Sequence, residues 1–213
     1  HIAMGYKCGI VDLTKGELGS RGNAELRMQE AEKATKILGL SCRENLGLED
    51  GFFGAEKESK LAIVEAIRHY RPEILIATAV TDRHPDHGRA AALVSDAAFL
   101  AGLPKVKTAR DGKPQESWKV KTIYHGIQDR YIKPDFVFDV TKVWDQKMES
   151  ILAYSSQFYN PASDEPETAI SSKDFLEFLT ARAREVGRQS GYTLAEGFTV
   201  ERTFGVRSLF DLD

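Results

Sequence analysis

The chain has little of what would tie it to a membrane, a polyanion or an oxidising compartment. No apolar run approaches the length of a membrane span, and no secretory leader is visible. There are two cysteines, Cys8 inside an apparent strand and Cys42 beside another. Both read as reduced core thiols of a cytoplasmic protein. Net charge is −3 with no block of like charges, which argues against a nucleic-acid or anionic-membrane partner. There is no Gly-x-Ser-x-Gly elbow and neither cysteine lies in a histidine-bearing motif, so serine and cysteine nucleophiles are poorly supported. No internal repeat or low-complexity segment interrupts the chain. What is present is 213 residues, 42% hydrophobic and 29% charged, enough for one domain over 1–213 with a proper core.

Strand signals alternate with amphipathic helix signals. A strand is expected over Tyr6–Leu13, a helix over Ala24–Leu38 closed by Gly39, and a short strand over Ser41–Leu46. A helix over Lys57–Tyr70 is broken by Arg71-Pro72 before the apolar strand Ile74–Val80. Pro85-Asp86 opens an alanine-rich helix through Leu100. Strands follow over Val120–His125 and Asp135–Val140, then a helix from a Thr141 cap to Ala153. A polar loop, a helix over Lys173–Gln189 and a short hairpin within Thr193–Val206 complete the order. This βαβα alternation implies a Rossmann-like doubly wound α/β fold, with a mostly parallel sheet and helices on both faces.

The densest chemistry lies at Asp82-Arg83-His84-Pro85-Asp86-His87-Gly88-Arg89, directly after the run Ile74–Val80. The carboxyl end of a parallel strand is where open α/β sheets place their sites. Imidazole suits zinc and also serves as acid, base or oxyanion donor, so two close histidines can divide those tasks. Asp86, between them, is a candidate acceptor fixing an imidazole tautomer. A polar turn capping a helix fits the same spacing, since zinc needs about three protein ligands even with an open position.

Three other segments offer weaker signals. The glycines of Gly16–Gly22 lack the spacing of a Walker or dinucleotide loop, but Arg21 and Arg27 could reach an anionic group. Asp50, beside Phe52 and Phe53, could present a carboxylate to sugar hydroxyls or simply occupy an Asp-Gly turn. His69 and His125 read as structural, and Asp211 and Asp213 as solvated. At the amino end, His1–Gly5 looks like a helix tail closed by glycine, which suggests sequence upstream; a tag remnant or processed terminus is the other reading.

Taken together, Gly9-Ile10-Val11-Asp12-Leu13-Thr14-x-Gly16-Glu17-Leu18-Gly19-Ser20-Arg21-Gly22, Glu25-x-Arg27, Asn45-Leu46-Gly47-Leu48-x-Asp50-Gly51, Arg83-His84-Pro85-Asp86-His87-Gly88, Tyr154-x-Ser156-Gln157-Phe158 and Ala195-Glu196-Gly197-Phe198 resemble the LmbE/PIG-L-like zinc deacetylases, nearest to their bacillithiol-biosynthesis branch. The resemblance implies removal of an acetyl group from an N-acetylglucosaminyl conjugate, with N-acetylglucosaminyl malate as the expected small-molecule substrate. It implies zinc as cofactor, His87 as a zinc ligand, and His84 as the acid or oxyanion stabiliser, with Asp86 counted among the catalytic group. Arg27 falls at a substrate-pocket arginine, Asp50 at a sugar-contacting carboxylate, and Lys119 where some relatives have a pocket arginine. Arg21, Arg27 or Lys119 would meet the malate carboxylates.

The family's amino-terminal His-Pro-Asp-Asp segment, with two zinc ligands and the general base on a central first strand, has no counterpart here. A gap in the core and unpaired strand edges are therefore expected, and the biological protein is expected to include the segment. The other readings are a relative acting on another N-acylated amino sugar or thiol conjugate, and a non-catalytic carbohydrate-binding relative. Assembly as a homo-oligomer is compatible with the fold class.

Overall fold

The first strand, β1 (Gly9–Asp12), runs parallel to β2 (Cys42–Asn45), with Gly9 opposite Cys42 and Asp12 opposite Asn45. Their crossover is α1 (Ala24–Leu38). Asn23 opens it by accepting the Leu26 amide, and Gly39 closes it in the left-handed conformation. Arg43 locks the unit, pairing with both oxygens of Asp12 at 2.7 and 2.8 Å and reaching the Ala31 carbonyl at 3.1 Å. The structure is a computed structural model and describes residues 1–211, so the Asp211–Asp213 pair lies outside the described side chains.

After α2 (Lys57–Tyr70), β3 (Ile74–Ala77) leads into α3 (Pro85–Ala101). A short hairpin, β4 (Ala109–Arg110) and β5 (Lys113–Pro114), precedes β6 (Thr122–Gly126), which is parallel to β3. Next come β7 (Phe136–Asp139), α4 (Trp144–Leu152), α5 (Lys173–Arg188) and β8 (Ala195–Val200). The larger sheet has the order β3-β6-β8-β7.

Small side chains set the main packing. Ala90, Ala97, Ala98 and Ala101 on α3 let it lie close against Ile63, Val64 and Ile67 of α2, with Phe53 and Leu93 completing the cluster. Val64 is fully buried. A second cluster joins Trp144 of α4, Ala183 of α5, Val140 and Leu194. Burial of such side chains contributes about 1.5–3 kcal/mol for each large one.

The helices over 24–38 and 57–70 fall where the apolar periodicity puts them. Four strand expectations change. The run from Ile74 stops at Ala77 because Thr78 and Ala79 turn away from the ladder. The Thr78 carbonyl accepts from His125, and the Ala79 amide donates to Gln128. The carboxyl-terminal segment is one strand, not a hairpin; its partners are β6 and β7, which sequence periodicity cannot reveal. The polar stretch before β6 carries a small hairpin fastened to β2 by Arg110 and Glu44. The larger sheet is mixed, because β8 lies antiparallel to both neighbours.

The sheet is also divided. Among the described residues β1 pairs only with β2, and β3 only with β6. Ile74 and Ile76 share one face of β3 and are 47% and 61% exposed. No described helix is long and apolar enough to cross a membrane.

Candidate active site

The loops after β1, β2, β3 and β6 all leave the carboxyl ends of their strands, and hydrogen bonds join them in series. The Asp50 carboxylate accepts from Thr14 Oγ1 and from the Leu18 amide, both at 3.1 Å, while Glu17 accepts the Asp50 amide at 3.0 Å. The Gly51 amide donates to Asp86 at 2.9 Å. Asp82 accepts the amides of Asp129 and Arg130 at 3.1 and 2.8 Å. Around this rim Leu18, Phe52, Val80 and Tyr131 stay exposed, whereas Phe53 is buried.

The two histidines stand at the start of α3. His84 is its N-cap, and Pro85 takes the first helical position, where its missing N–H costs nothing. A Cβ on Gly88 would lie 3.2 Å from the Val80 carbonyl, so the helix enters this close to the preceding loop only without a side chain there. The rings are 5.4 Å apart. His84 Nδ1 accepts the Asp86 amide at 3.3 Å, which puts the His84 proton on Nε2. His87 Nδ1 lies 2.5 Å from Asp82 Oδ2; a carboxylate only accepts, so His87 carries a proton on Nδ1, and in the neutral ring the lone pair is on Nε2. Each histidine therefore presents a different Nε2: a donor on His84 and an acceptor on His87.

Asp82, in the same stretch but without an assigned role in the sequence reading, thus supplies the contact expected from Asp86. Burial pushes its carboxyl up, but the Arg130 amide, the His87 ring and the Arg83 amide outweigh this and hold it below the ordinary carboxylate value. Asp86 is buried and turned elsewhere. One oxygen takes the Gly51 amide, and the other lies 2.7 Å from Arg89 without hydrogen-bond geometry. Arg89 also donates to the carbonyls of Gly51 and Phe53. Behind the pair, Thr78 Oγ1 donates to the His87 carbonyl at 2.7 Å, and buried His125 joins the Thr78 carbonyl to Glu201. His69 packs edge-on against Tyr70.

The two arginines of the glycine turn are differently placed. Arg21 is 5% exposed; it donates to Ser163 at 2.6 Å, and its Nε lies 3.5 Å from Glu165. Arg27 is half-buried under the turn, where a Cβ on Gly16 would stand 2.8 Å from its guanidinium carbon, and it donates to Gln157 at 3.0 Å. Gln157 in turn donates to the Arg21 carbonyl. Beneath them Glu30, fully buried, accepts from Ser155 and from the amide and hydroxyl of Ser156. Glu30 carries no sequence signal beyond its place in a polar helix. Lys119 is not brought into this group. Its neighbour Trp118 bonds to Ala101 at the far end of α3, about 25 Å of helix from His84.

Zinc calls for about three protein ligands. Among the described residues no group of three or more His, Cys, Asp or Glu could hold a metal ion. His87 Nε2 is one free donor, and this donor set by itself does not fit a catalytic zinc.

Fold and site define an α/β protein with paired imidazoles at the carboxyl end of a parallel strand. A family model described as PIG-L: GlcNAc-PI de-N-acetylase matches residues 1–98, a span that holds both histidines. The crystal structure of the conserved protein TT1542 from Thermus thermophilus superposes with a TM-score of 0.82 at 33% identity, covering 97% of this chain and 87% of that one. The chain belongs to the PIG-L/LmbE deacetylase family. It is also 27% identical to the diacetylchitobiose deacetylase of Thermococcus kodakarensis over 89% of this chain and 67% of the relative. It is 25% identical to the 4-oxalmesaconate hydratase of Pseudomonas putida over 74% of this chain and 65% of the relative. The chain spans about two thirds of the length of these two curated relatives.

Proposed function

We propose that this protein hydrolyses the acetamide of an N-acetylated amino sugar, releasing acetate and the free amine. The observation that carries the reading is the complementary pair of Nε2 atoms. In amide hydrolysis negative charge develops on the carbonyl oxygen as water adds, and a donor aimed at that oxygen lowers the barrier. His84 Nε2–H would serve as such a hydrogen-bond donor. His87 Nε2 offers a lone pair on the same rim, as one ligand toward the zinc that the family resemblance implies.

The loops bearing Asp50 and Arg27 would hold the sugar. Asp50 already receives two hydrogen bonds, yet each carboxylate oxygen keeps capacity for another from a hydroxyl. N-Acetylglucosaminyl malate is the finer reading. It requires a cation for its carboxylates, and Arg27 is better exposed for this than Arg21. Likeness to a diacetylchitobiose deacetylase supports a neutral conjugate equally.

The test is release of free amine from a panel containing N,N'-diacetylchitobiose, N-acetylglucosaminyl malate and simple N-acetylglucosaminides, with zinc content measured on the same sample. In a protein that includes the family's amino-terminal His-Pro-Asp-Asp segment we expect turnover of at least one member, lost in His84→Ala. A second reading, hydration of an unsaturated polycarboxylate, is favoured by the likeness to 4-oxalmesaconate hydratase. Water uptake by such a substrate with no amine release from the panel would select it.

A further inference from the structure

The buried carboxylate at Asp82 uses its two oxygens for different tasks. Its side chain is 1% exposed. Oδ2 meets His87 Nδ1 at 2.5 Å, while Oδ1 takes the amides of Asp129 and Arg130. Those amides lie in the loop between β6 and β7, which Arg182 of α5 also holds through the Gln128 carbonyl. The neighbouring carboxylates are committed elsewhere, Asp86 to Gly51 and Arg89, and Asp129 to Arg83 at 3.3 Å.

We propose that Asp82 is a positioning residue: one carboxylate holds His87 in the Nδ1–H tautomer and locks the β6–β7 loop against the histidine helix. The reactive lone pair of His87 and that wall of the site are set together. A carboxylate is required because only it accepts on both oxygens. Asparagine has one acceptor and one donor. With its oxygen kept by the two loop amides, its amide group faces His87 Nδ1 and forces the ring to accept there. The His87 proton then moves to Nε2, and the outward lone pair is lost. Alanine removes both tasks. The tautomer follows from geometry alone; its effect on turnover rests on the deacetylase reading.

The test is nitrogen–proton correlation NMR of the histidine rings after chelator treatment, so that no metal ion dictates the tautomer. Spectra are taken at about pH 8, above the ordinary imidazole range, and His87→Ala identifies the signals. In the unsubstituted protein His87 should carry its proton on Nδ1; in Asp82→Asn it should carry it on Nε2, with the Asp129 and Arg130 amides unmoved. In Asp82→Ala those amides should shift. Turnover by Asp82→Asn should fall about 10–100-fold in kcat with little change in KM.

A proton on Nε2 of His87 in the unsubstituted protein overturns the proposal, even if Asp82→Asn fails to fold. So does an unchanged tautomer in Asp82→Asn. An inverted tautomer in a protein that deacetylates nothing supports this proposal and sinks the functional reading instead.

Discussion

Asp86 accepts the Gly51 amide at 2.9 Å, so the first turn of the histidine helix is tied to the loop that carries Asp50. The bond is buried at the Asp86 end, and the same carboxylate stands beside Arg89. Its removal leaves an amide without a partner and a guanidinium without its counter-charge. Asp86→Ala should therefore cost about 1–3 kcal/mol of stability. Denaturant unfolding measures this, and hydrogen exchange at Gly51 should quicken in parallel. A midpoint unchanged from the parent would show that the bond holds nothing.

Glu30 anchors a different part of the rim. It is fully buried and meets three neutral donors on Ser155 and Ser156, and no cation pairs with it among the described residues. Glu30→Ala strands the buried Ser156 amide and should cost about 1–3 kcal/mol. Ser156→Ala removes only one of the three bonds and should cost less. Because the residues touch, the double variant should be less destabilised than the sum of the singles, a non-additivity that thermal unfolding of the four proteins will detect.

The hairpin latch between Arg110 and Glu44 predicts a pH dependence. Both Glu44 oxygens take Arg110 nitrogens at 3.1 Å, and each side chain is 24% exposed. Burial pushes the Glu44 carboxyl up, but Arg110, Tyr70 and His69 together hold it below the ordinary 4.5. A depressed folded value means the unfolded chain binds the proton more readily. The contribution is present above about pH 4.5 and is lost as pH falls through the folded value. Acid unfolding should begin at higher pH in the parent than the Glu44→Gln curve, normalised to its own neutral stability, would suggest. Identical normalised curves would remove Glu44 from the acid response.

What the sequence could show follows from which interactions are local. The helices over 24–38 and 57–70 were legible because their apolar spacing, together with Gly39 and Arg71-Pro72, is encoded within one segment. The pairing of His84 with the helix N-terminus was legible for the same reason. The antiparallel course of β8 was not, because its partners lie about 60–75 residues away in sequence and any alternating strand fits either direction. Asp82 and Asp86 are both near His87, and type alone does not say which one turns inward. Rotamer and loop geometry decide it, through amides of a loop more than 40 residues on.

The three cations and one carboxylate offered for substrate recognition are separable by their surroundings. Lys119 sits at the far end of α3, so Lys119→Ala should leave kcat/KM for an N-acetylated amino sugar unchanged. Arg21 is buried with Ser163 and Glu165, so Arg21→Ala should lower stability before it alters substrate preference. Arg27 rests under the Gly16 turn and holds Gln157, with part of its surface open. Arg27→Ala should raise KM about tenfold for an anionic conjugate, the equivalent of ~1.4 kcal/mol, and much less for a neutral one. Asp50→Asn keeps an oxygen for one of its two donors and should raise KM for both kinds of conjugate. Steady-state kinetics on one anionic and one neutral substrate decide among these. Equal losses in Arg27→Ala would show that the guanidinium shapes the glycine turn and does not read charge.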